Sequence, residues 1–405
     1  MSDFHQTGSV ATLHSLNQRP IDDLERHLKI FAEKRKITLI LPSLFSELET
    51  PALAGILDEL EGASYINHIV IGLDRADAEQ FAFARNYFAR LPQRHDILWN
   101  DGPRLRQIHD GLQRAGLAPA EPGKGRNVWY CIGHTLASAN SDVVALHDCD
   151  IVTYKREMLS RLVYPVANPE FPYQFCKGYY PRIADQRLGG RVTRLLVTPL
   201  LLALQKCFGA HDYLEYLKGF RYPLAGEFAM RTAILPDMRI PSDWGLEIGV
   251  LSEVWRNLSR HAICQADISD RYDHKHQPLS EDDATNGLSR MSMDISKSLF
   301  RKLATDGVTF SNEHFRTLKA TYYRIALDLL EAYYNDARMN GLTLDRHGEE
   351  KAVELFAANI VEAGNVFLEN PMETPFIPNW SRVLAANPDI LQQIATAVAE
   401  DSLTR

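Results

Sequence analysis

The stretch Ser141-Asp-Val-Val-Ala-Leu-His-Asp-Cys-Asp150 turns abruptly from a buried strand into a pair of carboxylates. Asp142 opens it, and Val143, Val144, Ala145 and Leu146 make a short apolar run of the kind that a parallel sheet covers on both faces. Asp148 and Asp150 close it where the strand ends. In open α/β sheets ligands bind in the crevice beyond the carboxyl ends of the strands, and two acids with one residue between them bring oxygens to one hard cation. A cation there would in turn hold a diphosphate. Aspartate is also common after strands as a solvated turn, so the pair takes its meaning from the rest of the chain.

Upstream, Ile37-Thr-Leu-Ile-Leu-Pro42 reads as a strand ended by its proline, and residues 51–60 as a helix closed by Gly62. Residues 66–73 read as a second strand ended by Asp74. A second helix over 76–91 carries Phe81, Ala84, Tyr87 and Phe88 on one side, with Pro92 as its stop. Residues 96–99 are a short third strand, 103–115 a helix, and 128–139 a helix that feeds the opening strand. Strand alternating with helix four times implies a parallel, doubly wound sheet. Right-handed crossovers then set Pro42, Asp74, Gly123 and Asp150 along one edge, where their loops can share a ligand. Gly123-Lys-Gly125 has neither Walker nor Rossmann spacing. Its glycines permit close backbone approach and Lys124 supplies a cation beside a phosphate or base; the alternative is a flexible surface turn.

Downstream, residues 157–163 read as a helix and 171–180 as a strand. Gly189-Gly-Arg-Val-Thr193 opens a long apolar helix over 195–208. A helix start preceded by glycines is an anion site, because its first amides have no partner in the helix; Arg191 and Thr193 add a guanidinium fork and a hydroxyl. Residues 223–231 and 243–251 each place one glutamate, Glu227 and Glu247, beside glycine in an apolar run. A buried acid must be paired, bonded or protonated, so both are candidates for sugar hydroxyls, a metal or a base. Glu227 also stands at helical spacing from Arg231, which suggests an ion pair instead. A strand over 262–268 leads to Asp270-Arg-Tyr-Asp-His-Lys-His-Gln-Pro278, whose His274 and His276 are cation ligands or merely solvated.

The ends of the chain differ from this middle. Residues 1–20 are polar and expected to be loose, and 22–34 read as an amphipathic helix. Beyond about residue 280, Phe315, Leu318, Tyr322, Ile325 and Leu329 mark a long amphipathic helix ending near Gly341. Further helices are expected over 349–363 and 388–399, with a proline-rich link over 370–378. This tail shows no chemistry in the sequence, and packing against the core or a second subunit is its expected role.

The 405 residues suffice for a large α/β domain with an extension, and 45% apolar with 24% charged residues is ordinary for a soluble protein. A net charge of -8 without a Lys/Arg block argues against nucleic acid as the main partner. No apolar run reaches membrane-spanning length and Met1-Ser-Asp-Phe-His5 lacks signal-peptide blocks, so the cytoplasm is the expected location. Five dispersed cysteines, without a Cys-x-x-Cys pair, indicate neither a disulfide framework nor a zinc knuckle.

Taken in order, Leu41-Pro-Ser-Leu44, Gly123-Lys-Gly125, Asp148-Cys-Asp150, Gly190-Arg-Val-Thr193, Leu224-Ala-Gly-Glu-Phe-Ala229 with Arg231, Gly245-Leu-Glu-Ile-Gly249 and His274 with Pro278 resemble the glucosyl-3-phosphoglycerate synthases. These are retaining GT-A glycosyltransferases that use a nucleotide sugar and a divalent cation. The resemblance covers residues 37–279. It implies a GT-A fold, a doubly wound and mostly parallel sheet flanked by helices, with a C-terminal helical extension. The expected divisions are an N-terminal arm and helix (1–36), a nucleotide-sugar half (37–150), an acceptor half (151–280) and the helical extension (281–405), which suits a homodimer. The implied reaction is transfer of glucose from a nucleoside diphosphate glucose, UDP-glucose by family default, to 3-phosphoglycerate.

Carried over by position, the resemblance implies that Pro42, Ser43, Leu44, Glu47 and Asp74 line the nucleotide, with Lys124 beside base or ribose and Asp148 in contact with it. Asp150 and His274 would hold Mg²⁺ or Mn²⁺, and Leu224 and Gly226 would border the donor sugar. Gly190, Arg191 and Thr193 would receive the acceptor, with Glu247 near the reacting hydroxyls. The family commonly has Asn where this chain has His276 and Tyr where it has Trp244; both positions fall in the implied acceptor pocket, so glycerate or another hydroxy acid stays open as acceptor, as does a mannose donor. Sugar-1-phosphate nucleotidyl transfer and a non-catalytic sugar-nucleotide sensor are the other readings of the same residues.

Overall fold

The structure, a computed structural model, describes residues 6, 8–17, 19–119, 122–273, 287–371 and 377–403. Among the described residues ten strands form in chain order: β1 (Ala11–Leu13), β2 (Ile37–Leu44), β3 (His68–Asp74), β4 (His95–Trp99), β5 (Val143–Leu146), β6 (Phe175–Tyr179), β7 (Ile183–Ala184), β8 (Arg187–Leu188), β9 (Phe228–Arg231) and β10 (Ile263–Asp267). Eight of them make one sheet in the order β1-β10-β6-β9-β5-β2-β3-β4, and β7 and β8 form a small hairpin. Within the large sheet only β9 runs against its neighbours.

The period-2 character of a strand buried on both faces is visible in β2. Leu39 and Leu41 join one hydrophobic cluster with Leu53, Ile56 and Leu162; Ile40, between them, joins the other with Val128, Trp129 and Trp380. From β2 the chain winds out to β3 and β4, then returns to place β5 on the other side of β2. This reversal makes the crevice past the carboxyl ends of β2 and β5 the topological switch point, where such sheets bind ligands.

Four expectations from the sequence need correcting. Residues 11–13 are not loose: β1 pairs in parallel with β10, and Gln265 donates to the Thr12 hydroxyl. Pro42 does not end its strand, because β2 continues to Leu44 against β3. Ile40 accepts from the His147 amide past the end of β5, so the amide that Pro42 lacks would point where β5 has already stopped. The helix expected from residue 128 starts at Lys124. Gly125 permits this, since a Cβ there would lie 2.1 Å from the Pro241 carbonyl oxygen. Finally, Arg231 ends a strand that begins just after Glu227, so helical spacing does not relate the two.

The tail packs on the core. Among the described residues it forms helices Gly287–Thr305, Asn312–Met339, Arg346–Glu369, Trp380–Ala386 and Ile390–Leu403, of which the first and fourth carried no clear sequence signal. Trp380, 1% exposed, stacks on Trp129 at 4.1 Å and its indole donates to the Trp129 carbonyl. The long apolar helix likewise differs from expectation. It opens as a π-helical segment, Val192–Val197, before the α-helix Thr198–Phe208. Pro199 cannot donate to the Leu195 carbonyl four residues back, and the Tyr322 hydroxyl of the tail takes that carbonyl instead. No described helix is long and apolar enough to cross a membrane.

Candidate active site

At the switch point the chain concentrates charge. The Lys124 ammonium, on the first turn of its helix, lies 2.7 Å from Asp148 Oδ1 and 3.2 Å from Glu247 Oε1. Burial alone would lower the pKa of Lys124, but Asp148 and Glu247 reverse this and hold it above its ordinary value. Gly226 faces the same carboxylate so closely that a Cβ would lie 2.3 Å from Asp148 Oδ2. Two residues on, burial and then the neighbouring Asp148 push the Asp150 carboxyl up to about 7. Asp150 Oδ1 is buried without a hydrogen-bond partner among the described residues.

The other lip of the crevice comes from β2 and the turn after it. The Ser43 hydroxyl donates to the Leu44 carbonyl, and the buried Glu47 adds to the negative field at Asp150. Pro42 and Leu44 are half-buried beside them. Asp74 ends β3 in register with Leu44, and its Oδ1 accepts from Asn100 at 2.9 Å with Arg126 at 3.5 Å. Burial raises its pKa despite that arginine. An excess of carboxylates around one lysine, with an unsatisfied oxygen among them, fits a hard divalent cation.

Glu227 is the deepest acid, fully buried at the head of β9. It accepts from the Tyr180 hydroxyl at 2.6 Å and the Tyr272 hydroxyl at 2.9 Å, and these two rings stack with centroids 3.7 Å apart. Burial raises its pKa above the usual range, with Asp148 adding to the effect. Lys177 of β6, 1% exposed, has no hydrogen-bond partner for its ammonium among the described residues; burial lowers its pKa to about 8 against the pull of Glu247 and Glu227. Sequence reasoning missed Lys177, Tyr180 and Tyr272. All that marked the lysine was a lone cation in the run 175–179, which reads equally well as an edge position.

The Gly190-Arg-Val-Thr segment joins this centre through aromatic side chains. Gly190, at φ +72°, packs against Arg182 and Tyr222; Arg182 lies over the Tyr272 ring, and Tyr222 against Tyr180. Arg191 Nε donates to Glu349 Oε1 at 2.9 Å, and Arg194 Nη1 lies 2.8 Å from Glu349 Oε2. Glu349, from the tail, and Arg194 were both unforeseen. The Thr193 hydroxyl is buried and donates to no described acceptor. Leu224 is half-buried, and Trp244 is 39% exposed just before the helix that carries Glu247. His274 and His276 lie outside the described residues. The residue before them is placed, however: the Val152 amide donates to the Asp273 carbonyl at 2.9 Å, which brings the chain leading to His274 beside the turn that follows Asp150.

No protein-family profile matches the chain. It is 42% identical over 402 residues to the glucosyl-3-phosphoglycerate synthase of Persephonella marina, covering 99% of both chains. It is 38% identical over 385 residues to the synonymous protein of Methanococcoides burtonii, covering 94% of each. Its fold is similar to the crystal structure of glucosyl-3-phosphoglycerate synthase from Mycobacterium tuberculosis in complex with Mn²⁺, UDP-glucose and phosphoglyceric acid, with a TM-score of 0.53 at 23% identity over 75% of this chain and 89% of that one. By its length-spanning identity to two such enzymes, and by a mostly parallel sheet of the same fold, the chain belongs to the glucosyl-3-phosphoglycerate synthase family.

Proposed function

We propose that this protein transfers glucose, with retention of anomeric configuration, from UDP-glucose to 3-phosphoglycerate. The observation that carries the reading is the buried Asp150 oxygen at the switch point, without a hydrogen-bond partner among the described residues and set among Asp148, Glu47 and Glu227. Asp150 and His274 would hold Mg²⁺ or Mn²⁺, which would neutralise the leaving diphosphate and favour an oxocarbenium-like transition state. Lys124 would lie against the nucleotide while keeping its pairing with Glu247. Pro42, Ser43, Leu44, Glu47 and Asp74 would line the nucleotide cleft, and Leu224 and Gly226 the sugar.

Arg191, with Gly190 and Thr193, would bind the acceptor phosphate or carboxylate. Glu349 is shared by Arg191 and Arg194, so one positive charge of that trio is left over for an anion. Trp244 and His276 would flank the acceptor. Retention without a covalent adduct is favoured because neither nearby glutamate is a free nucleophile: Glu247 is paired with Lys124, and Glu227 is held by two phenols. The acceptor hydroxyl would then attack on the face the diphosphate leaves, with a phosphate oxygen taking its proton and Glu247 orienting the hydroxyls.

A donor-by-acceptor matrix with Mg²⁺, scored for nucleoside diphosphate release and for the anomeric configuration of the product, tests this. UDP-glucose with 3-phosphoglycerate is expected to give the highest kcat/KM and an α-linked product. Equal turnover with glycerate would remove the acceptor assignment, and pyrophosphate release from a nucleoside triphosphate would remove glycosyl transfer altogether.

A further inference from the structure

At the opposite edge of the sheet, where the parallel strands begin, three donor atoms from three elements converge. His68 opens β3, Asp96 is the second residue of β4, and His134 lies near the end of the Lys124–Ser138 helix. His68 Nε2 and His134 Nε2 each lie 2.9 Å from the same oxygen, Asp96 Oδ2, and all three atoms fall within 4.8 Å of one another. Both histidines are buried, while the Asp96 side chain is 24% exposed, which leaves the cluster one side open to solvent. We propose that His68, Asp96 and His134 bind one divalent transition-metal ion of the class that takes imidazole and carboxylate together, such as Zn²⁺ or Co²⁺, with water completing its coordination.

Ligand chemistry favours this class over the hard cation of the active site. Two imidazole nitrogens and one carboxylate suit Zn²⁺ or Co²⁺, whereas Mg²⁺ takes oxygen ligands and keeps its waters. The two N···O distances are close to those required. Donors about 2.0–2.1 Å from a tetrahedral ion stand roughly 3.3 Å apart, so each N···O pair opens by less than about half an ångström on binding. Ligation needs each Nε2 free of its proton. Without an ion His134 Nε2 donates to Asp96; its buried Nδ1 has no hydrogen-bond partner among the described residues, so that nitrogen is open to take the proton when an ion displaces it from Nε2. Asp96 faces both imidazoles through the one oxygen, Oδ2, which is the atom that would enter the coordination sphere. Arg94, 3.6 Å from the same oxygen but 61% exposed, is free to turn toward solvent. The helix that ends at this cluster begins at Lys124, so an ion here would tie β3, β4 and the lysine-bearing helix together at the end remote from the diphosphate.

The experiment uses the full chain, stripped with chelator and titrated with Zn²⁺ and Co²⁺ in excess Mg²⁺. Asp150→Asn serves as the background, to suppress binding at the active site. One equivalent of Zn²⁺ per chain by equilibrium dialysis is expected, with visible Co²⁺ bands of a tetrahedral or five-coordinate site and a Tm raised by about 3 °C at saturation. His134→Gln in the same background is expected to weaken that binding at least 100-fold. Binding that is absent, or unchanged by His134→Gln, overturns the proposal. Should that variant fail to fold, proton NMR of the Co²⁺-loaded parent decides: hyperfine-shifted signals from two imidazoles sustain the site, and their absence refutes it.

Discussion

Lys177 shows how a single side chain can be at odds with its surroundings. A charged ammonium inside β6 costs stability, because burial there outweighs its attraction to Glu227 and Glu247 and brings its pKa down to about 8. For a base whose folded pKa lies below its unfolded one, the unfolded chain binds more protons between the two values, so stability rises with pH from about 8 to the unfolded value of about 10.4. Lys177→Met is therefore expected to stabilise the protein by about 1–3 kcal/mol at pH 7 while lowering kcat/KM. Denaturant titrations should show that advantage shrinking by pH 9.5; a pH-independent difference would mean that folding does not shift the pKa of the lysine. The carboxylate pair of 148 and 150 was legible because strand and acids adjoin in sequence. Lys177 was not, because one lysine in a five-residue apolar strand reads equally well as an edge position. The bonding of Glu227 was hidden for another reason, since a short apolar run is ambiguous between helix and strand periods and the helical choice pointed at Arg231.

Elements explain why the sequence pattern located the strands better than the ends of the helices. The alternation of buried residues along β2 and β3 is a local property, but the start of the Lys124–Ser138 helix depends on the 241–242 backbone that Gly125 admits. The π-helical opening of the 192–208 segment likewise depends on Tyr322, supplied by the tail. The same distance hides Glu349, which is 158 residues from the arginine it bonds. Its position ties the tail to Arg191 and Arg194, a link that its amphipathic pattern does not reveal. Glu349→Gln, which keeps the shape but removes the charge that orients both guanidinium groups, is expected to raise KM for the acceptor about 10-fold or more, with KM for the donor nearly unchanged. Steady-state kinetics with each substrate varied will show this, and an equal rise for both substrates would place Arg191 elsewhere.

For the molecule as a whole, the tail is part of the core. The Trp129–Trp380 stack ties the helix that begins at Lys124 to residues near the carboxyl end. Trp380→Ala is expected to cost about 3–5 kcal/mol, read as a lowered Tm, with kinetic constants at low temperature close to those of the parent. A loss of activity without a loss of stability would instead give the tryptophan a direct part in the site. The strand order has a consequence for how the protein is made. β2, β3, β4 and β5 adjoin one another and lie within residues 37–146, so this block can assemble while the remainder is still being translated. β1 has no such opportunity, because its partner, β10, ends at Asp267. At roughly 5–20 residues per second β1 therefore waits on the order of ten seconds or more after its own synthesis before it can dock.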